Sequence, residues 1–337
     1  MFKKPFLIAE VGLAHEGSLG IAKSFVKIAK ENGADAIKFQ HHNFEYESSR
    51  LEKFRKNFSS QDKTRAEYWK RTSFNLFEWK KLKKYCDKLK IKFICSPFSI
   101  KSAEELNEIG VYAWKIASGE FNNIPLIEYI LKNSNKPIIL STGLTTTNEI
   151  KKILKVFKKY KRKDFAILQC TSRYPASLED VGHDLIEKFK KEFKCNVGIS
   201  DHSGQINSLI IGLYKNADLI EFHVTFHENF FGPDTSSSIK PDEIKFLSKL
   251  RDDIYRIKNI NTNKEKLTSN QKKMIKLFGK SIFAKHDLKK NQKIKMDNLK
   301  FLKPGTGISV VDYKKVLGKY AKRYIKKDKL IKFSDLK

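Results

Sequence analysis

Eight short apolar segments, most of them followed by an amphipathic stretch, set the limits on what this chain can fold into. They fall at 6–11, 34–39, 92–95, 113–116, 137–140, 165–170, 196–200 and 219–224. Each has the length and composition of a strand buried on both faces. Stretches with a 3.6-residue period lie between them, at 21–32, 76–88, 147–160 and 185–193. Residues 201–216 follow the seventh strand and 241–258 the eighth, with Pro241 suited to a first helical turn. Eight β–α units predict an α/β fold, a (β/α)8 TIM barrel over residues 1–258. A doubly wound open sheet is the alternative, but it has no need for eight strands. The interruption at 40–74 is too long for an ordinary βα loop. Its aromatic and charged composition predicts a structured cap over one barrel end.

The pattern changes after residue 258. Residues 259–278, rich in Lys and Asn, read as a linker with one helix. Residues 279–337 read as a compact, mainly β domain, with strand-like segments at 281–284, 291–295, 301–302 and 330–333. Turn clusters Lys289-Lys290-Asn291 and Pro304-Gly305-Thr306-Gly307 separate these segments.

Composition removes several classes of function. With 40% hydrophobic and 12% aromatic residues, the 337-residue chain has material for a large core, which excludes wholesale disorder. No apolar run approaches the roughly 18 residues of a membrane span, so no membrane partner is expected. The apolar run behind Lys3 and Lys4 is cut by Glu10, unlike a signal peptide. Cys86, Cys95, Cys170 and Cys195 show no C-x-x-C spacing and read as buried thiols of a cytoplasmic protein. The formal charge of +30 suggests an anionic partner, yet only 9 of the 68 basic residues are Arg. A specific nucleic-acid reader invests in Arg for bidentate contacts. Lysines spread along helix faces read as a general lysine bias, so no nucleic acid is expected, and a non-enzymatic nucleic-acid-binding protein is kept as an alternative.

The strand ends carry the chemistry. In a barrel of this kind, polar side chains at the C-terminal ends of the strands form the active site. Here every end supplies one: Glu10; Lys38 and Gln40; Ser96; Lys115, Ser118 and Glu120; Ser141 and Thr142; Gln169, Thr171, Ser172 and Tyr174; Ser200, Asp201 and His202; Glu221 and His223. Charged groups inside apolar strands cost several kcal/mol unless paired or bound. Lys38 and Lys115 each interrupt a buried strand. They suit a phosphate or carboxylate clamp, with Ser96, Ser118 and Ser141 donating around it. Two buried Lys–Glu pairs would explain them equally simply. Lys115 also suits a Schiff-base lysine in an aldolase, with Lys38 as the nearby cation. His202 and His223 fall at equivalent positions on neighbouring strands, about 5 Å apart. Together with Glu10, brought alongside by barrel closure, they suit a divalent ion with open positions. His15, Glu16 and Gly17, and Gly232-Pro233-Asp234, read as loop residues near the barrel mouth, and His41 and His42 as the start of the cap, with metal ligation the alternative.

The same residues carry a resemblance. Ala9-Glu10-Val11-Gly12, Ala36-Ile37-Lys38-Phe39-Gln40, Ser96-Pro97-Phe98 and Lys115-Ile116-Ala117-Ser118-Gly119-Glu120 appear in order. They are followed by Leu140-Ser141-Thr142-Gly143, Thr171-Ser172-Arg173-Tyr174-Pro175, Gly198-Ile199-Ser200-Asp201-His202 and Gly232-Pro233-Asp234. Together they resemble the sialic acid (N-acetylneuraminate) synthase family, with its legionaminate, pseudaminate and spore-coat polysaccharide branches. The segment Lys303-Pro304-Gly305-Thr306-Gly307-Ile308 resembles the antifreeze-like (SAF) domain of those enzymes.

The resemblance implies a transferase that condenses phosphoenolpyruvate with an N-acetylmannosamine-type aldose, giving a nine-carbon 2-keto acid and phosphate. It implies that Lys38, Ser96, Lys115, Ser118, Ser141, Ser172 and Ser200 hold phosphoenolpyruvate. His202 and His223 would bind Mn2+ or Mg2+, and Glu10, Gln40, Glu120, Tyr174 and Asp234 would face the sugar. Lys115 would then be a clamp and not an imine former, and the protein a domain-swapped homodimer. Three residues depart from the family pattern: Ala14 before the loop histidine, Phe222 between Glu221 and His223, and Lys303 where an arginine reaches the acyl group of the sugar. Lys303 stays a substrate-binding candidate, without the planar fork.

Overall fold

The computed structural model describes residues 4–49, 51–54 and 58–337. Residues 1–3, with the first of the two N-terminal lysines, and 50 and 55–57 of the expected cap lie outside the described residues. Eight parallel strands close on themselves: β1 (Phe6–Gly12), β2 (Ala36–His41), β3 (Lys92–Pro97), β4 (Ala113–Ile116), β5 (Ile138–Ser141), β6 (Phe165–Cys170), β7 (Asn196–Asp201) and β8 (Leu219–Val224). Each pairs with the next, and β1 pairs with β8, which makes the (β/α)8 barrel. A two-residue ninth strand, β9 (Ser238–Ile239), adds to the end of β8 and was not expected.

The helices follow the strands. They are α1 (Leu19–Glu31), α2 (Phe44–Glu47), α3 (Arg65–Thr72), α4 (Leu76–Lys88), α5 (Ile100–Ile109), α6 (Ile124–Asn133), α7 (Thr147–Lys159), α8 (Leu185–Phe193), α9 (Ile206–Tyr214) and α10 (Pro241–Lys258). Several begin with a polar side chain that accepts from an otherwise unpaired N–H of the first turn: Asn75 from Glu78, Thr146 from Glu149. Apart from α2 and α3 of the cap, the apolar stripes of these helices cover the outer faces of the strands, and Trp79, Phe93, Trp114, Phe157 and Phe222 lie in that layer. Inside the barrel a smaller apolar plug, including Ile8, Ala36, Ile94, Ala113, Ile139 and Leu168, fills the lumen below the strand ends.

The chain divides into two compact units, 1–259 and 260–337. The second holds α11 (Ser269–Phe278) and a two-stranded antiparallel sheet of β10 (Ser281–Ala284) and β11 (Leu299–Leu302). Two expected strands are absent as such. Residues 291–295 contribute only an isolated bridge, Lys293 to Tyr320, and Leu330 bridges Phe283 just before a 3-10 turn at Phe333–Asp335. Turns held by single bridges around Ile282, Leu288, Ile294, Val316 and Ile331 replace a larger sheet.

Candidate active site

Strand alternation decides what the lumen receives. Along β1, Ile8 joins the plug and Glu10, two residues on, lines the cavity above it. Register sets Glu10 opposite both Lys38 and His223, Cys170 opposite Ser200, and Ser200 opposite Glu221. The result is a cavity of about 360 Å³ at the C-terminal end of the barrel. Its lining includes Glu10, Lys38, Gln40, Lys115, Ser118, Ser141, Ser172, Tyr174, Ser200, His202, His223 and Asp234. Twelve scattered sequence positions thus converge on one space.

The two lysines lie at its floor, and both are paired. Lys38 Nζ is 2.9 Å from Glu10 Oε2, and Lys115 Nζ is 3.0 Å from Glu221 Oε1, with all four side chains almost wholly buried. Lys38 also lies 3.5 Å from Glu221, so the pairs form one cluster. The buried Lys–Glu pairs offered by the sequence as the plain explanation are therefore present, at the floor of a cavity. Burial opposes the charge on Lys38, but Glu10 and Glu221 outweigh it and hold its ammonium above the usual range. Burial wins at Lys115 despite Glu221, and the nearby Lys38 adds to it, so Lys115 sits below the usual lysine range. Burial also opposes the charge on Glu221, yet Lys115 and Lys38 hold its carboxyl low. Glu221 Oε1 takes Lys115 and the Ser200 hydroxyl (2.9 Å), while Oε2 has no hydrogen-bond partner among the described residues. The same is true of the buried Ser141 hydroxyl. Orphaned polar atoms of this kind at a cavity wall are what a bound ligand would satisfy.

Beside this cluster, with His223 two residues beyond Glu221 on β8, stand the two imidazoles, their ring centroids 5.2 Å apart. His202 Nδ1–H donates to the Thr171 carbonyl at 2.8 Å, which leaves the lone pair on Nε2, 3.2 Å from the Tyr174 hydroxyl. Burial lowers the pKa of both rings, against Thr171 at His202 and against Asp234 at His223, so both are neutral and able to ligate. The carboxylate beside them is Asp234, 3.7 Å from His223 Nδ1. Glu10 lies opposite His223, where barrel closure was expected to bring it, with Gln40 and Lys38 on its two oxygens. Among the described residues no group of three or more His, Cys, Asp or Glu is gathered to hold a metal ion. The donor set fits a divalent ion held by two neutral imidazoles, most of its coordination left for substrate and water.

Three expected site residues lie outside this lining. Ser96 is fully buried behind Lys38, at 3.5 Å from its Nζ. Glu120 accepts from Asn123 in the 3-10 turn after β4, with burial raising its pKa. Lys303 belongs to the second unit, its ammonium 5.4 Å above the Phe278 ring. Gln169 and Asp201 point out of the lumen: Gln169 donates to the Val181 carbonyl, and Asp201 accepts from Ser203 and Ser208. Phe222 is buried in the outer layer, facing away from the cavity.

Other residues were missed as site residues. Cys170 faces the cavity on β6, its thiol 3.5 Å from the Ser118 hydroxyl, and strict alternation from Ala166 and Leu168 would have placed it there. The cap supplies a wall of Phe54, Phe58, Arg65, Tyr68 and Trp69. His42 lies in that wall, sandwiched between Trp69 and Phe98 with ring centroids 3.9 Å from each. His15 instead turns behind the barrel against Phe74, His41 pairs with Glu105, and Glu16 braces the cap through Arg71 at 2.8 Å.

The NeuB family pattern matches residues 25–266, and the SAF domain pattern matches 279–337. The chain belongs to the NeuB family. An N,N'-diacetyllegionaminic acid synthase of Campylobacter jejuni is 35% identical over 98% of this chain and 99% of its own length. A pseudaminic acid synthase of the same species is 32% identical over 99% and 97%. Among solved structures, the N-acetylneuraminic acid synthetase of Leptospira borgpetersenii, in complex with citrate, is 31% identical. It superposes with a TM-score of 0.68 over 81% of this chain and 91% of its own. These NeuB-family relatives are biosynthetic enzymes, and this chain is an enzyme of the same transferase-type class. No helix among its described residues is long and apolar enough to cross a membrane.

Proposed function

We propose that this NeuB-family enzyme condenses phosphoenolpyruvate with an N-acylated amino-aldose, yielding a nine-carbon 2-keto sugar acid and phosphate. One observation carries the reading: two buried lysines and two buried imidazoles line a single cavity. Lys38 and Lys115 hold the carboxylate and phosphate, with Ser118, Ser141 and Ser172 donating neutral hydrogen bonds, while Ser200 donates to Glu221. Glu10, Gln40, Tyr174 and Asp234 orient the sugar, with Glu120, outside the lining, as a further candidate. His202 and His223 hold a divalent cation, Mn2+ or Mg2+, which when bound supplies Lewis-acid polarisation of the open-chain aldehyde. The bond forms between C3 of the enol phosphate and the aldehyde carbon, whose oxygen takes up a proton. Positive charge then develops at C2, where the Glu221 carboxylate, kept ionised by Lys115 and Lys38, stabilises it. Water adds at C2 and gives up its proton to the phosphate, which departs with cleavage of its C–O bond.

The charge balance supports a metal. Lys38 and Lys115 are already matched by Glu10 and Glu221. These four groups offer no net positive charge to a multiply charged anion. A divalent ion at the histidine pair would supply it.

Phosphate release from phosphoenolpyruvate, with Mn2+ and a panel of N-acylated mannosamine-type sugars including 2,4-diacetamido-2,4,6-trideoxymannose, tests this reading. Release that needs both metal and one sugar is the expected result; silence from folded, metal-loaded protein would overturn it. A second reading has one observation in its favour: the lowered pKa of Lys115, with Lys38 beside it, is what an imine-forming lysine needs. Borohydride reduction with pyruvate labels Lys115 only if that aldolase reading holds. A homodimer in a reducing cytoplasm completes the proposal. Light scattering tests the first, and the free thiols of Cys86, Cys95, Cys170 and Cys195 are in keeping with the second.

A further inference from the structure

A chain of hydrogen bonds runs from the cap into the floor of the cavity, and its donors and acceptors follow from the carboxylates of Glu10 and Glu47 at its two ends. Glu10 Oε1 is 2.7 Å from Gln40 Nε2. A carboxylate opposite Lys38 can only accept, so the Gln40 amide must present its NH2 to Glu10. Its oxygen, Oε1, therefore faces the other way, where it lies 3.0 Å from His42 Nε2. His42 must donate there. Its opposite nitrogen, Nδ1, faces a second acceptor, Glu47 Oε1 at 2.7 Å, so the ring donates from both nitrogens, and the second oxygen of Glu47 accepts from the backbone N–H of Asn43 at 2.9 Å. The ring is fixed in plane by these contacts and out of plane by Trp69 and Phe98.

We infer that His42 is a positioning residue, which locks Gln40 in the one amide orientation that serves Glu10 and so aligns the Glu10–Lys38 pair. A flipped Gln40 would turn its carbonyl oxygen onto the Glu10 carboxylate. The His42 donor makes that flip costly, since it would face an NH2 group instead of an acceptor. Trp69 of α3 and Glu47 of α2 hold His42, so the cap sets the geometry of the lumen without touching Lys38. In the synthase reading, Glu10 and Gln40 face the sugar while Lys38, Lys115 and the serines hold phosphoenolpyruvate, and Lys38 keeps Glu221 as a second partner at 3.5 Å when Glu10 shifts. Loss of His42 therefore acts on the sugar step.

Two variants separate the donor from the packing. His42→Phe keeps an aromatic ring between Trp69 and Phe98 but has no donor; His42→Gln returns a donor to Gln40. The kinetic arm rests on the synthase reading. His42→Phe is expected to lower kcat/KM for the sugar at least tenfold, with KM for phosphoenolpyruvate changed less than threefold, and His42→Gln to recover most of the loss. The second arm needs no turnover. In protein labelled with 15N at glutamine side chains, the Gln40 amide pair, assigned by its loss in Gln40→Met, is expected to shift in His42→Phe and return in His42→Gln. An unmoved Gln40 pair in folded His42→Phe, or equal kinetic losses in both variants, would overturn the inference. If the wild-type enzyme turns over no sugar, the synthase reading fails and the Gln40 resonance still decides the role of His42. Should His42→Phe not fold, Glu47→Gln puts the same question, because a ring released at Nδ1 must also move the Gln40 pair.

Discussion

Lys115 and Glu221 are each 3% exposed and meet at 3.0 Å, so neither charge can be removed alone at low cost. Lys115→Met would leave Glu221 facing only Lys38 and Ser200, and breaking a buried pair from one side costs about 3–5 kcal/mol. The double variant Lys115→Met/Glu221→Gln removes both charges and is expected to recover more than half of that loss in urea denaturation. A double variant no more stable than the single one would show that the two residues are not energetically coupled. His15 poses the opposite problem, a buried base with no charge partner. Burial, with His42 adding to it, lowers its pKa from 6.5 to about 3. Its Nδ1 accepts from the Gly17 N–H, and Nε2 has no partner among the described residues. Between pH 6.5 and about 3 the unfolded chain binds a proton here that the folded protein refuses. The contribution of His15 is then fully present above pH 6.5 and is lost as pH falls, by up to about 1.4 kcal/mol per unit. Stability measured from pH 7 to 5 should fall more steeply in the wild type than in His15→Phe; parallel curves would mean that His15 protonates in place.

The strands were legible because parallel strands covered on both faces must be short and apolar, and nothing else in the chain has that pattern at eight places. The site was legible for a related reason: a charged or polar residue at the end of such a strand needs a partner or a ligand. Face was harder to read than position. Gln169 and Asp201 are as polar as Lys38, yet they satisfy themselves on the outer side, Asp201 through Ser203 and Ser208 of the segment that follows it. Loop hydrogen bonds of that sort leave no mark in the strand's own sequence. The cap was legible only as an interruption, because its order rests on tertiary stacking such as Trp69 on His42. Thr64 and Glu67, a reciprocal capping pair, were the local signal that α3 begins there. In the second unit, 291–295 has strand composition but only one bridge partner, and composition alone cannot supply a neighbour. The β5–α7 loop allows a direct test of the site. A Cβ on Gly143 would fall against the Ser172 hydroxyl, within 2.8 Å of that of Ser118 and 3.1 Å of the Cys170 thiol. These are side-chain ends that can move, so Gly143→Ala should fold, but the serines would be pushed from the cavity. Affinity for phosphoenolpyruvate is expected to fall at least tenfold with Tm lowered by a few degrees at most. Gly20→Ala, in α1 with only Ser18 Oγ nearby at 3.6 Å, serves as the control. Unchanged affinity in Gly143→Ala would remove Ser118 and Ser172 from the anion site.

Over the whole molecule the formal charge of +30 acts on two quantities in opposite directions. Like charges spread over a folded surface repel one another and disfavour the compact state. The same field draws an anionic substrate toward the cavity, raising its association rate. Added salt weakens both effects, since the screening length falls from about 30 Å at 0.01 M to about 10 Å at 0.1 M. The buried pairs Lys38–Glu10 and Lys115–Glu221 are shielded from that screening by their depth, so the chemistry at the floor should not respond. Between 0.01 and 0.2 M sodium chloride, Tm is therefore expected to rise by a few degrees, while kcat/KM for phosphoenolpyruvate falls severalfold and kcat stays nearly constant. Chloride is the right anion for the comparison, because sulfate and phosphate also strengthen apolar burial and could occupy the anion site. A Tm that does not rise would mean that the lysines are already compensated locally, as Lys80 is by Glu108 and Lys151 by Glu192. A kcat that falls together with kcat/KM would place the salt effect at the floor of the cavity instead of in the approach to it.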